Sequence, residues 1–211
     1  MNKRHPACVQ VFAKCPLDGN PKTRLQPPLS PAQASDLHRR LLLRTLLTAI
    51  ESKFPLQLWV DQPSEDVWLR DKISHIGCEV FVQNGDTLGE RMHSAIATGL
   101  GEFERAVIVG SDCPVLTATH IQLAVDSLSG ASKFVFAPTE DGGYALVGSS
   151  CEIPTPFRSI DWGSNAVMAQ TRAKLESSNV GWQELETLWD VDRPEDLARL
   201  DKEGIALPSL D

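Results

Sequence analysis

An aspartate stands where a buried strand must end. Val107-Ile108-Val109 runs into Gly110-Ser111-Asp112-Cys113-Pro114. Three β-branched residues lead to a glycine, a carboxylate and a proline that stops the strand. If that strand is central in a parallel sheet, Asp112 lies in the crevice where open α/β sheets bind ligands. A carboxylate there can hold a divalent cation against a nucleotide diphosphate. The plainer alternative is that Asp112 caps a helix starting near Thr117.

Four further stretches carry residue types able to do chemistry. The first is Lys14 … Lys22-Thr23-Arg24, which follows an apolar strand. It is not a P-loop: Pro21 precedes Lys22, and proline has no N–H to offer a phosphate. Lys14, Lys22 and Arg24 can still clamp a diphosphate through side-chain charge, Arg24 with its two-pronged guanidinium. The second is Gly85-Asp86-Thr87-Leu88-Gly89-Glu90-Arg91, between a strand and a helix. Its glycines would let backbone approach a flat ligand; an ordinary turn capped by Asp86 or Thr87 is the alternative. The third is Asp141-Gly142-Gly143-Tyr144, which holds the only tyrosine. Two glycines permit a turn with φ > 0, and Asp141 at its head could orient or deprotonate an acceptor hydroxyl. In the fourth, Asp190-Val191-Asp192-Arg193-Pro194, strand period puts Asp190 and Asp192 on one face, suited to a hard cation. N-capping by Asp192 ahead of Pro194 is the simpler reading of that stretch taken alone.

The elements that must position these groups follow from periodicity. Strands are predicted at Val9–Ala13, Leu56–Val60, Glu79–Gln83, Ala106–Val109, Lys133–Ala137, Tyr144–Gly148 and Leu185–Val191. Helices are predicted from Pro31 to about Lys53 (Ser30 as cap), over about Glu65–Lys72 (Ser64 as cap), Glu90–Gly99, Thr117–Leu128, 164–177, and from Pro194 onward. Alternating strands and helices imply a sheet covered on both faces. The Asp141–Gly143 turn adds one antiparallel strand. The expected fold is a three-layer α/β/α sandwich with a mostly parallel, mixed sheet, as a single domain over residues 1–211.

Composition excludes several classes. With 20 Lys+Arg against 28 Asp+Glu, the net charge is −8, so nucleic acid is not an expected partner. The basic cluster within residues 1–24 instead suits a small anion. Five scattered cysteines without a CxxC argue against a disulfide framework and a zinc site. No apolar run reaches the roughly 18 residues of a membrane span, and no signal peptide is legible. The chain reads as cytoplasmic. The five histidines lack ligand spacing; His38 and His93 read as surface or packing residues. There is no GxSxG elbow and no dinucleotide-binding GxGxxG.

Taken in order, Phe12-Ala13-Lys14, Lys22-Thr23-Arg24-Leu25, Leu88-Gly89-Glu90-Arg91-Met92, Asp112-Cys113-Pro114, Asp141-Gly142-Gly143-Tyr144 and Asp190-Val191-Asp192 with Pro194-Glu195-Asp196-Leu197 resemble the bacterial DUF2064 group. These are GT-A-like proteins of the nucleotide-diphospho-sugar transferase superfamily. The resemblance spans about Val9 to Leu200. It implies a metal-dependent transferase with a nucleotide-activated sugar donor. In that frame Lys14, Lys22 and Arg24 hold phosphates, and Gly89 and Arg91 line the nucleotide pocket. Asp112 and Asp192 hold Mg2+ or Mn2+, Asp141 serves the acceptor, and Gly142, Gly143 and Tyr144 complete the substrate site. The glycine-rich start of nucleotidyltransferases and a strict Asp-x-Asp are both absent. Nucleotidyl transfer from an NTP to a small phosphate or alcohol is the alternative, and a non-catalytic nucleotide-binding module a further one.

Overall fold

In the computed structural model, which describes residues 5–16 and 22–210, seven strands form one sheet. They are β1 Cys8–Ala13, β2 Leu56–Val60, β3 Glu79–Val82, β4 Ala106–Gly110, β5 Phe134–Pro138, β6 Tyr144–Ser149 and β7 Trp182–Glu184. Their spatial order is β3-β2-β1-β4-β6-β5-β7. Only β6 runs against its neighbours; every other strand pair is parallel. The helices are α1 Pro31–Glu51, α2 Val67–Ile76, α3 Leu88–Glu102, α4 Ala118–Ser127, α5 Val167–Ser177 and α6 Pro194–Lys202.

Alternation along the strands builds the layers. Val9, Val11 and Ala13 of β1 point to one face, where they meet Leu42 and Leu46 of α1, Leu69 of α2 and Ile121 of α4. Cys8 and Phe12 point to the other, against Met92 and Ile96 of α3 and Met168 and Leu175 of α5. The fold is therefore α/β with a mostly parallel, mixed sheet between two helical layers. A third cluster joins Leu25, Leu37, Leu41, Trp189, Val191 and Leu200. It fastens the turn after β1 to α1 and α6 at one end of the sheet.

The sequence signals for helix starts mostly hold. Ser30 and Gln33 form a capping box with Pro31 at the first turn of α1, and Thr87 and Glu90 form one at α3. Thr117 caps α4 with its own side chain, so Asp112 is free of that task. Two expectations change. Asp66, not Ser64, caps α2: its carboxylate accepts from the Leu69 N–H at 3.0 Å, while its other oxygen takes Arg39. The last strand is Trp182–Glu184, not Leu185–Val191, in which only Leu188 makes a bridge, to Thr139. After β7 the chain leaves the ladder, passes the end of β5 and reaches the end of β4, where the Val191 N–H donates to the Asp112 carbonyl at 2.9 Å.

Candidate functional site

A cleft of about 1140 Å3 opens at the C-terminal edge of the sheet. Lys14, Lys22, Arg24, Arg91, Asp112, Asp141, Gly143, Tyr144 and Asp192 all line it. Gly89 and Gly142 are set into the packing beside it. A Cβ on Gly89 would lie 2.2 Å from the Phe157 carbonyl oxygen and 2.8 Å from the Trp162 ring. Gly89 thus lets α3 close against that wall. The Gly19-Asn20-Pro21 part of the basic loop lies outside the described residues, as do Lys3, Arg4 and Asp18.

The basic loop reaches the acids directly. Lys22 Nζ stands 2.8 Å from Asp112 Oδ2 and donates to the Val191 carbonyl at 2.5 Å. Arg24 Nη1 bonds Asp192 Oδ2 at 2.7 Å. Lys22 has a left-handed backbone (φ 60°), uncommon for a non-glycine residue. Its two partners hold it there. The Lys22 side chain is 5% exposed and that of Asp112 is 41% exposed, so the ammonium is enclosed while the carboxylate still faces the cleft. Burial works against charge on Asp112, but Lys22, then His38 and Lys14, outweigh it and hold the carboxyl below its ordinary range. Asp192 does not cap α6. Arg193 holds the cap position, and Asp196 inside the helix reaches back so that its carboxylate takes the Asp192 and Arg193 N–H groups at 2.9 and 2.7 Å.

Strand period pairs Asp190 with Asp192, but the family resemblance gives it no role. Burial pushes its carboxyl up to about 6, and the charges of Asp141 and Asp112 add to the shift. The four aspartates 112, 141, 190 and 192 therefore share one electrostatic neighbourhood. A carboxyl raised in the folded state contributes stability that is complete below the unfolded value and is lost as pH rises through the folded one. Asp190→Asn should therefore melt higher than wild type at pH 7.5, by about 1–2 kcal/mol once screening is allowed for. The two should converge near pH 4. The melts are to be made without metal or nucleotide, and a gap that does not vary with pH would refute this assignment.

The other half of the cleft is built at the ends of β1, β2 and β3. Arg91 Nε donates to the Gly85 carbonyl at 2.9 Å, which fixes the glycine loop on the first turns of α3. Asp61 follows β2 and accepts from the Cys15 N–H at 2.7 Å. Gln83 follows β3 and donates to the Trp59 carbonyl at 3.0 Å. Both line the cleft, and both obey the strand-end rule that singled out Asp112. His38 also lines it. It is buried on α1, with Nε2 3.0 Å from the Lys14 carbonyl. Its signal was its place on the helix stripe, four residues before Leu42.

Across the cleft, the turn from β5 to β6 presents Asp141. The Thr139 hydroxyl and the Gly143 N–H both bond its Oδ1, at 2.5 and 3.0 Å. Tyr144 lies edge-on to Trp162 at 6.3 Å, and burial drives its phenol pKa far up. Its hydroxyl stays neutral, with Met92 Sδ at 4.0 Å.

Comparison with known proteins shows the family and the fold. Residues 45–164 match the model of DUF2064, described as an uncharacterized protein conserved in bacteria. No curated protein matches the chain by sequence. Among solved structures, one similar chain is a protein of Desulfovibrio desulfuricans provisionally described as a nucleotide-diphospho-sugar transferase. The two are 26% identical, with a TM-score of 0.80, over 90% of this chain and 83% of that one. The 4-diphosphocytidyl-2C-methyl-D-erythritol synthase of Anaerococcus prevotii shares the fold, at 10% identity and a TM-score of 0.64, over 94% and 96% of the two chains. So does glucosyl-3-phosphoglycerate synthase of Mycobacterium tuberculosis, solved with Mn2+ and UDP, at 12% identity and a TM-score of 0.55, over 97% and 81%.

Proposed function

We propose that this chain, which belongs to the DUF2064 family, is a transferase that uses a nucleotide-activated sugar as donor. One observation carries the reading: a set of cations and a set of carboxylates meet across a single cleft at the sheet edge. Lys14, Lys22 and Arg24 hold the diphosphate. Arg91 and the strand-end residues Asp61 and Gln83 frame the nucleoside. Asp141 orients the acceptor.

The donor set suits Mg2+ or Mn2+, since Asp112 and Asp192 offer the hard oxygens these ions prefer. Among the described residues no group of three or more His, Cys, Asp or Glu is placed to hold an ion by itself. Substrate phosphates and water would complete the site, as is usual for Mg2+. Such an ion supplies charge stabilisation at the leaving phosphate. Lys22 and Arg24 now neutralise these same carboxylates, so binding of the donor requires the two cations to turn from carboxylate to phosphate. No helix among the described residues is long and apolar enough to cross a membrane.

Thermal shift with UDP, GDP and CDP, each with and without Mn2+, tests the reading. Saturating the matching nucleotide at about 100 Kd should add ~2.7 kcal/mol, which raises Tm by roughly 5–10 °C for a chain of this size. With the donor and an acceptor, release of a nucleoside diphosphate marks glycosyl transfer, whereas pyrophosphate marks nucleotidyl transfer. A protein that shifts with none of the nucleotides is not such a transferase.

A further inference from the structure

We infer that the acceptor half of the cleft takes an uncharged, hydroxyl-rich molecule, a sugar or polyol, and rejects phosphorylated or carboxylated acceptors. This rests on the donor assignment above and adds the chemical class of the second substrate.

The cleft is divided by charge. Between residues 139 and 167 it is lined by Glu140, Asp141, Tyr144, Trp162 and Asn165 among others, with no Lys, Arg or His. Its cations come from elsewhere: Lys14, Lys22, Arg24, Arg91 and Arg193, with His38 beside them. Two of these are already engaged, Lys22 with Asp112 and Arg24 with Asp192. Arg24 feels the charge of Asp141; Asp192 holds it at 2.7 Å in the empty protein, and the donor's diphosphate would hold it in the loaded one. Arg199 touches this wall only through Glu140, which it grips at 2.7 and 3.0 Å while lying 4.3 Å over the Trp189 ring. An arriving phosphate would meet Glu140 and Asp141 there, with no guanidinium or ammonium among the described residues that line that wall. Like charges so placed act against the wrong partner.

The same wall offers what a hydroxylated ring needs. Among the described residues the hydrogen bonds to Asp141 both fall on Oδ1. Oδ2 is left to accept from an acceptor hydroxyl, and the pinned carboxylate needs no reordering to do so. Half-buried Trp162 and Tyr144, edge-on to each other, supply apolar surface for the C–H face of such a ring. Asn165 on the rim adds a neutral donor and acceptor.

Matched pairs test this directly. Ligand-observed NMR is run on the wild-type protein loaded with Mg2+ and whichever of UDP, GDP or CDP raises Tm most. The pairs are methyl glucoside against glucose 6-phosphate, and glycerol against glycerol 3-phosphate. The neutral member of each pair should bind roughly tenfold or more tightly than its phosphate. Asp141→Lys should narrow or reverse that preference, and Trp162→Ala should weaken the glucoside while leaving nucleotide affinity within about twofold. Equal or tighter binding of the phosphates overturns the inference. So does failure of both neutral molecules to bind a protein that still holds the nucleotide. If the nucleotide itself does not bind, the donor assignment falls first, and this inference with it.

Discussion

Asp112→Asn should melt well below wild type and lose metal-assisted binding of nucleotide diphosphates; adding Lys22→Met should restore the first property and not the second. The Lys22 side chain is 5% exposed, and its ammonium has two partners, the Asp112 carboxylate and the Val191 carbonyl. Removing the carboxylate charge leaves an enclosed cation with neutral acceptors only, a loss of about 2–4 kcal/mol. Methionine keeps the apolar stem of Lys22 and removes the charge that had become unpaired, so the double variant regains most of that stability. Its nucleotide site, however, has lost both the carboxylate that faces a cation and the ammonium that turns to a phosphate. Calorimetric titration with UDP, GDP and CDP in the presence of Mn2+ should show a drop of roughly ten- to hundredfold in both variants. Unchanged affinity in Asp112→Asn would remove Asp112 from the ligand site and leave it a partner of Lys22 alone.

Gly142→Ala should destabilise the protein by about 2–4 kcal/mol and disable the acceptor side more than the nucleotide side. Gly142 has φ 92°, a region L side chains rarely adopt. A Cβ there would also lie 2.0 Å from the Asn165 carbonyl oxygen. Backbone cannot yield as a flexible side chain would, so the turn must move. That turn carries Asp141, and the Gly142 carbonyl accepts the Met168 N–H at 2.8 Å near the start of α5. Displacing it shifts Asp141, Tyr144 and the 162–165 segment together. Lys14 follows β1, two strands away from that turn, and should be little disturbed. Denaturant melts measure the first effect. Nucleotide and glucoside affinities compared in one preparation measure the second, and an equal fall in the two affinities would contradict it.

The layers were legible because local pattern dictates them. Alternating apolar residues in β1 and the stripe of α1 need nothing from the rest of the chain, and the two glycines after Asp141 announce the antiparallel return into β6. The course of residues 185–191 was not legible. Its composition suits a strand, yet its hydrogen bonds go to Pro138, Glu140 and finally Asp112 as it crosses between strand ends. Only the fold as a whole specifies that path. Because Asp190 and Asp192 ride on it, their meeting with Lys22 and Arg24 had no local signal either. The sequence showed a basic loop and an acidic segment as separate features. Gly89 illustrates the opposite failure. A glycine in a strand–helix turn suggests ligand approach, but its contact is with Phe157 and Trp162, far along the chain.

The bond from Lys22 to Val191 spans 169 positions of sequence, and that from Arg24 to Asp192 spans 168. Contacts of such reach come late in folding, because the chain entropy they remove is repaid only after the sheet exists. A buried apolar cluster of Leu25, Trp189, Val191 and Leu200 backs the Lys22 bond, whereas the Arg24 bond is at the surface, so the seam should open first on its Arg24 side. In the empty protein the chain holds the seam shut with its own charges. In the loaded protein the nucleotide would do so, and the amides of residues 22–25 and 190–193 would then exchange with solvent more slowly than nucleotide contact elsewhere in the cleft could account for.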